Sequence, residues 1–300
     1  MIRQPFSFHA PQTVTEAVTL LGKLGDDTKL LAGGQSLMPA MNLGVIVPQH
    51  VVSLNRLRSV LSYVREEGTE IAIGALTTHH ILATSELLQK RCPILAESAG
   101  DIGDVQVRHR GTIGGSTAHF DPAADYPPVC LALHAKFRLV GPNGERTVVA
   151  EDFFVGYMMT AVEPQEILTE VRVPLLSSGT GSAYAKHRRI EGGFAIVGVA
   201  AVVAMQKNLC QRLAVGISGG GPVPLRLKEV ETQYQGKRLD NASIGAIAEA
   251  AYNAATEPTN ELHADAAYKR DMVRVFTQRA VKMAMERALE GREREFKPHV

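Results

Sequence analysis

The chain has 300 residues, of which 45% are hydrophobic and 21% charged, and its formal net charge is +1. That length accommodates two or three units with cores of their own, and the composition is that of an ordinary globular protein. Lys and Arg are scattered, which excludes the massed basic surface that neutralising nucleic-acid phosphates requires.

Thr13 and Glu16 make a capping box, and Ala17, Val18, Leu20, Leu21 and Leu24 follow at helical spacing before Gly25. Residues 29–32 read as a short strand running into Gly33 and Gly34, with further strands at 51–54 and 71–73 and short helices at 84–88 and 94–100. This alternation predicts a mixed α/β first half. The polar stretch LSSGTGS, 176–182, marks a domain boundary. Beyond it, 183–189, 195–205 and 210–218 are strand-like and suit an antiparallel meander. Helices follow at 243–255 and 264–290, the second with Met272, Val275, Phe276, Met283 and Ala284 as its buried stripe and Gly291 as its stop. The charged tail REREFKPHV is expected to fray.

The opening MIRQPFSFHAPQ lacks the apolar centre of a secretory signal, and the longest apolar run, 194–205, is too short to cross a bilayer. Cys92, Cys130 and Cys210 lie far apart, with no CxxC or Cys/His run. They predict buried free thiols in a reducing compartment rather than an iron–sulfur or zinc site. A soluble, cytoplasmic protein is expected.

Two glycine-bearing segments stand out, Leu31-Ala-Gly-Gly-Gln-Ser36 after a strand and Gly111-Thr-Ile-Gly-Gly-Ser116. Paired glycines let the backbone approach a ligand, so that consecutive N–H groups converge on phosphate oxygens. Ser36, Thr112 and Ser116 add hydroxyls. Flanking one crevice, two such loops hold a diphosphate with no Lys or Arg at its centre, although each alone also fits a tight turn. Neither matches GxGxxG or GxxxxGK[ST], which disfavours a Rossmann dehydrogenase and a P-loop NTPase. A third glycine run, 216–221, leads into Pro222 and Pro224 and reads as a turn.

His119, Asp121 and Asp125, in the segment AHFDPAAD, follow no metal-ligand spacing, so no metal site is expected. Asp125 is open to two roles, accepting hydrogen bonds from ribose or ribitol hydroxyls or capping the helix that follows. By pattern, Lys186 is a solvated strand charge, and His79, His80 and His187 are surface or hydrogen-bonded residues. No nucleophile–base or paired-carboxylate arrangement emerges, so no residue is assigned as catalytic.

The segments Ala32-Gly-Gly-Gln-Ser-Leu37, Arg110-Gly-Thr-Ile-Gly-Gly-Ser116 and Ala118-His-Phe-Asp-Pro-Ala-Ala-Asp125 together resemble the FAD-binding medium subunit of molybdenum hydroxylases. That family includes the carbon monoxide dehydrogenase medium chain and the xanthine dehydrogenase FAD-binding subunit. Similarity extends along nearly the whole chain, through Ala72-Ile-Gly-Ala-Leu-Thr77, Glu151-Asp-Phe-Phe154, Leu168-Thr-Glu-Val-Arg-Val-Pro174 and Gly193-Phe-Ala-Ile-Val197. The resemblance implies an α+β fold. A PCMH-type FAD-binding domain of the vanillyl-alcohol-oxidase kind spans 1–177, in α/β subdomains of about 1–57 and 58–177. A C-terminal domain of a three-stranded antiparallel sheet and a helical bundle spans 178–291, and 292–300 is a tail.

By the same resemblance, Ala32, Gly33, Gly34, Gln35 and Ser36 with Thr112, Gly114, Gly115 and Ser116 line the FAD diphosphate and ribityl chain. Asp125 binds ribityl or sugar hydroxyls, Lys186 approaches from the second domain, and Ile102 and Phe194 pack near the isoalloxazine. Ser116 stands where family members usually carry Asn, which shortens the side chain's reach and leaves its backbone N–H as donor. Phe194 replaces a frequent Tyr and leaves a plain stacking face. With no Cys or His in either glycine segment, FAD is expected to be held non-covalently.

The implied role is electron transfer. A molybdenum site in a large partner subunit, carrying molybdopterin cytosine dinucleotide, oxidises substrate. The [2Fe-2S] clusters of a small partner pass electrons to FAD on this chain, and an external acceptor takes them, in a dimer of heterotrimers. Two alternatives are a free-standing flavin-dependent oxidoreductase of the same fold, which would turn over a substrate alone, and a non-catalytic nucleotide-binding scaffold, which would be colourless.

Overall fold

The computed structural model describes residues 4–295. The first unit comprises β1 (Ser7–His9), α1 (Val14–Leu24), β2 (Thr28–Leu31), α2 (Leu37–Leu43), β3 (His50–Ser53) and α3 (Arg58–Leu61). Its strands form a parallel sheet in the order β1-β3-β2. The capping box sets the start of α1: Thr13 Oγ1 accepts the Glu16 N–H at 3.0 Å, and the Glu16 carboxylate returns to the Gln12 N–H at 2.7 Å. Ala17, Val18 and Leu21 then bury against Val52, Leu54 and Leu57.

The second unit begins with β4 (Val64–Glu67) and β5 (Glu70–Gly74) and continues through α4 (His79–Ala83), α5 (Glu86–Arg91), α6 (Pro93–Gly100), α7 (Val105–Arg110), α8 (Ile113–His119) and α9 (Tyr126–Leu133). It closes with β6 (Lys136–Gly141), β7 (Gly144–Val149), α10 (Ala150–Phe153), β8 (Phe154–Gly156), β9 (Met159–Thr160) and β10 (Ile167–Pro174). An antiparallel five-stranded sheet runs β4-β5-β10-β6-β7. The helix expected at 84–88 begins two residues later, as α5. Thr84 ends α4, and the Ser85 hydroxyl starts α5 by accepting the Leu88 N–H.

The third unit holds β11 (Thr180–His187), β12 (Val197–Gln206), β13 (Leu209–Ser218) and the two-residue β14 (Leu225–Arg226), in that order in one antiparallel sheet. Helices α11 (Lys228–Tyr234), α12 (Asn241–Ala254) and α13 (Ala266–Glu295) complete it. The apolar run in β12 is explained by burial on both faces. Ala200 and Val202 join the core of the second unit, whereas Val199, Ala201 and Val203 pack under α12 and α13.

The buried face of α13 is Val273, Phe276, Ala280, Val281, Ala284 and Ala288, with Met272, Val275 and Met283 at its half-buried flank. The predicted stop at Gly291 is overridden, because α13 continues to Glu295. One glycine in a helix costs about 1 kcal/mol relative to alanine, too little to end so long a helix. Residues 296–300 of the expected tail, and 1–3 at the start, lie outside the described residues. No helix among the described residues is long and apolar enough to cross a membrane.

Candidate cofactor site

Ala32, Gly33, Gly34, Gln35 and Ser36 leave the carboxyl end of β2, and Gly34 takes the left-handed φ of 80° that glycine tolerates. Gly33 has no room for a side chain. A Cβ there would strike the Arg110 carbonyl oxygen and lie 2.7 Å from the Gly111 Cα. A Cβ on Gly115 would lie 3.6 Å from that of Ala32. The two glycine segments, distant in sequence, therefore close on one another.

Among the described residues, the N–H groups of Gly33, Gly34, Gln35 and Ser36 donate to no protein acceptor, and the Ser36 side chain makes no capping bond. Unpaired donors at the carboxyl end of parallel strands are suited to an anion.

The second segment differs from the expected loop, because Ile113–His119 is helical. Thr112 caps it, its hydroxyl accepting the Gly115 N–H at 3.1 Å. Ile113 N–H donates to Thr77 O at 3.0 Å, Gly114 N–H to Ala75 O at 2.9 Å and Ser116 N–H to Thr112 O at 3.0 Å. The backbone donors of Ile113, Gly114, Gly115 and Ser116 are thus already engaged, and the Thr112 and Ser116 hydroxyls remain free to donate. Gly114 permits this docking, since a Cβ there would meet that of Ala75 at 2.5 Å.

Asp125 and Lys186 meet across the units. Lys186 Nζ donates to Asp125 Oδ2 and to the Asp101 carbonyl, each at 3.0 Å, and Tyr184 Oη donates to Asp125 Oδ1 at 2.6 Å. The Lys186 side chain is 1% exposed, so it is not the solvated strand charge that the pattern suggested. Asp125 makes no side-chain capping bond, which removes its capping role. Burial raises the Asp125 pKa, against the opposing pull of Lys186 and Tyr184, and raises that of Tyr184 further with the help of Asp125.

Around this pair, Arg188 binds Asp101 at 2.7 Å, and Arg108 Nη1 holds the carbonyls of Ile102 at 3.2 Å and Gly103 at 2.7 Å. Ile102 is half-buried against the second core. Gly192 packs on Gly103, and the Ala195 N–H reaches the Ala123 carbonyl at 3.3 Å. Between those contacts stands Phe194, 64% exposed and without a ring partner among the described residues.

His79, which the pattern left as a surface or hydrogen-bonded residue, is buried beside Gly111. Its N–H donates to Gly111 O at 3.0 Å, and Nδ1 pairs with Tyr126 Oη at 2.8 Å. A Cβ on Gly111 would lie 2.6 Å from His79 Nε2. Burial, and then the Arg108 charge, lower the His79 pKa to about 4. The folded pKa lies below the unfolded one, so this contribution is complete above about pH 6.5 and lost as pH falls towards the folded value. Urea unfolding at about pH 5 should show roughly 2 kcal/mol less stability than at neutral pH from this residue. His79→Gln should flatten that dependence, and an unaltered pH profile in the variant would contradict the assignment.

Burial pushes the Cys92 and Cys130 thiols up to about 12 and Cys210 to about 11, which leaves all three as inert packing groups. Among the described residues, no three His, Cys, Asp or Glu side chains are grouped to hold a metal ion.

Residues 4–176 match the FAD binding domain in molybdopterin dehydrogenase, and 182–284 match the CO dehydrogenase flavoprotein C-terminal domain. The carbon monoxide dehydrogenase medium chain of Hydrogenophaga pseudoflava is 43% identical over 96% of this chain and 99% of its own length. The 6-hydroxypseudooxynicotine dehydrogenase complex subunit alpha of Paenarthrobacter nicotinovorans is 37% identical, covering 94% and 95%. A solved H. pseudoflava carbon monoxide dehydrogenase, lacking the Mo-pyranopterin moiety of its cofactor, superposes with a TM-score of 0.93 at 43% identity, over 96% of this chain and 99% of that one. The chain belongs to the family of FAD-binding medium subunits of molybdenum hydroxylases.

Proposed function

We propose that this chain holds FAD at the glycine crevice and relays electrons from [2Fe-2S] clusters on a small partner subunit to an external acceptor. The unpaired N–H row of Gly33, Gly34, Gln35 and Ser36 carries the reading, because it offers an uncommitted cradle for a diphosphate. The residues present fit the cofactor. Ala32 to Ser36 and the hydroxyls of Thr112 and Ser116 face the diphosphate and ribityl chain, with Gly114 and Gly115 giving the close approach. Asp125 and Lys186 serve the hydroxyl-bearing end, Ile102 packs beside the isoalloxazine, and the open face of Phe194 stacks on it.

Bound FAD supplies the exchange between carriers of single electrons and an acceptor of one or two. The chain's own residues bind and orient it. Substrate oxidation belongs to a large partner carrying molybdopterin cytosine dinucleotide, in a cytoplasmic dimer of heterotrimers. Relatives named for carbon monoxide and for 6-hydroxypseudooxynicotine match 96% and 94% of this chain, which fits a substrate pocket located on a different subunit. On this reading the FAD-binding domain ends near 177 and the C-terminal domain runs from 178 to 291.

A visible absorbance spectrum of the purified chain, before and after denaturation, tests the proposal. A flavin band with FAD released into the supernatant is expected. A colourless chain that takes up no FAD from excess would overturn it.

A further inference from the structure

Several arginines in this protein sit beside carboxylates: Arg146 on Glu166 at 2.6 Å, Arg172 on Glu67 and Glu170 at 2.6 Å, Arg188 on Asp101 at 2.7 Å. Two at the glycine crevice do not. Arg58 Nε donates to Asn55 Oδ1 at 3.2 Å, but its Nη2 is buried and has no partner. The Arg110 side chain forms no hydrogen bond or ion pair among the described residues.

Both lie on the rim of the cradle. Leu54 N–H donates to Leu31 O at 2.9 Å, so the chain leaving β3 for Arg58 starts beside the chain leaving β2 for Gly33. Leu76 N–H meets Leu61 O at 2.8 Å, which sets α3 against the segment that holds Gly114. The Arg110 carbonyl is the group that Gly33 abuts. Burial, and then the Arg110 charge, lower the Arg58 pKa, and no carboxylate opposes them. Two neighbouring guanidiniums with no carboxylate between them repel one another, and an anion at the crevice relieves that repulsion.

Resting on the FAD reading, we propose that Arg58, backed by Arg110, pairs with the phosphate oxygens of the bound dinucleotide. The planar fork of arginine matches phosphate geometry, and its charge complements neutral N–H donors that orient a diphosphate without neutralising it. The cradle thereby selects for a dinucleotide over the bare flavin, with its positive charge at the rim and neutral N–H donors at its centre.

The test is titration of the flavin-stripped full chain with FAD and with riboflavin, which keeps the ring and ribityl chain and lacks the diphosphate. Arg58→Gln should weaken FAD about tenfold, the effect of one charge-assisted bond, and leave riboflavin unchanged. Arg58→Lys should recover part of the loss. Wild-type FAD affinity should fall more steeply with salt than riboflavin affinity, and Arg110→Gln should reduce that slope, which keeps the idea testable if Arg58→Gln fails to fold. Equal losses for both ligands, or FAD binding as tight in Arg58→Gln as in wild type, would overturn the arginine assignment alone. A wild-type chain that binds no FAD would overturn the cofactor reading with it.

Discussion

Replacing Lys186 with methionine should destabilise the chain by about 3 kcal/mol, the usual scale for removing one partner of a buried ion pair. The cause is what remains. Asp125 is 4% exposed and would keep a single strong donor, the Tyr184 hydroxyl, for a buried carboxylate. Its pKa, already raised by burial, would rise further once the lowering influence of Lys186 is gone. A group whose folded pKa is raised contributes stability that is present at low pH and lost as pH climbs through that value. The defect should therefore be larger at about pH 7 than at about pH 5, as urea midpoints would reveal. Adding Asp125→Leu should restore most of the stability, less about 1 kcal/mol for the orphaned Tyr184 hydroxyl. On the FAD reading, the double variant stays poor in flavin although it folds, which separates binding from folding. A single variant as stable as wild type at neutral pH would show that the pair is not buried as described.

How legible this was depended on how local each signal is. The start of α1 was written in Thr13, Glu16 and the apolar spacing behind them, all within one turn or two. In β12 the apolar run identified a strand, but not that Val199 and Ala200 serve different cores, because that depends on what covers each face. The helix at Gly114 and Gly115 went unread, since paired glycines disfavour helix by intrinsic propensity. It forms because Thr112 caps it and the Thr77 and Ala75 carbonyls anchor its first residues, contacts that no sequence window contains. Lys186 reads as solvated for a similar reason, its carboxylate partner lying far back along the chain. The motifs around both glycine segments carried the family, whereas the unpaired Arg58 Nη2 emerges only from the packed structure.

Gly33→Val should abolish stable FAD binding, with a loss of more than about a hundredfold, while the third unit keeps its fold. The added atoms would meet the Arg110 carbonyl and the Gly111 Cα, which are backbone and cannot swing aside as a side chain can. Relief requires the two glycine segments to separate, and separation dismantles the cradle formed between them. Gly33 does not have a left-handed φ, so the backbone itself tolerates alanine there and any loss reports the contact alone. Gly115 offers the contrast. Its nearest obstacle is the Thr112 hydroxyl at 2.8 Å, with the Ala32 Cβ at an ordinary 3.6 Å, so Gly115→Ala asks chiefly for a rotation of one hydroxyl. Its loss of FAD should be about threefold, the scale of one weakened capping bond. Flavin content per chain after desalting, read against the melting of each variant, measures both. Full retention of FAD by Gly33→Val would mean that the diphosphate lies elsewhere, whereas equal losses in the two variants would mean that steric closure of the crevice is not what the glycines provide.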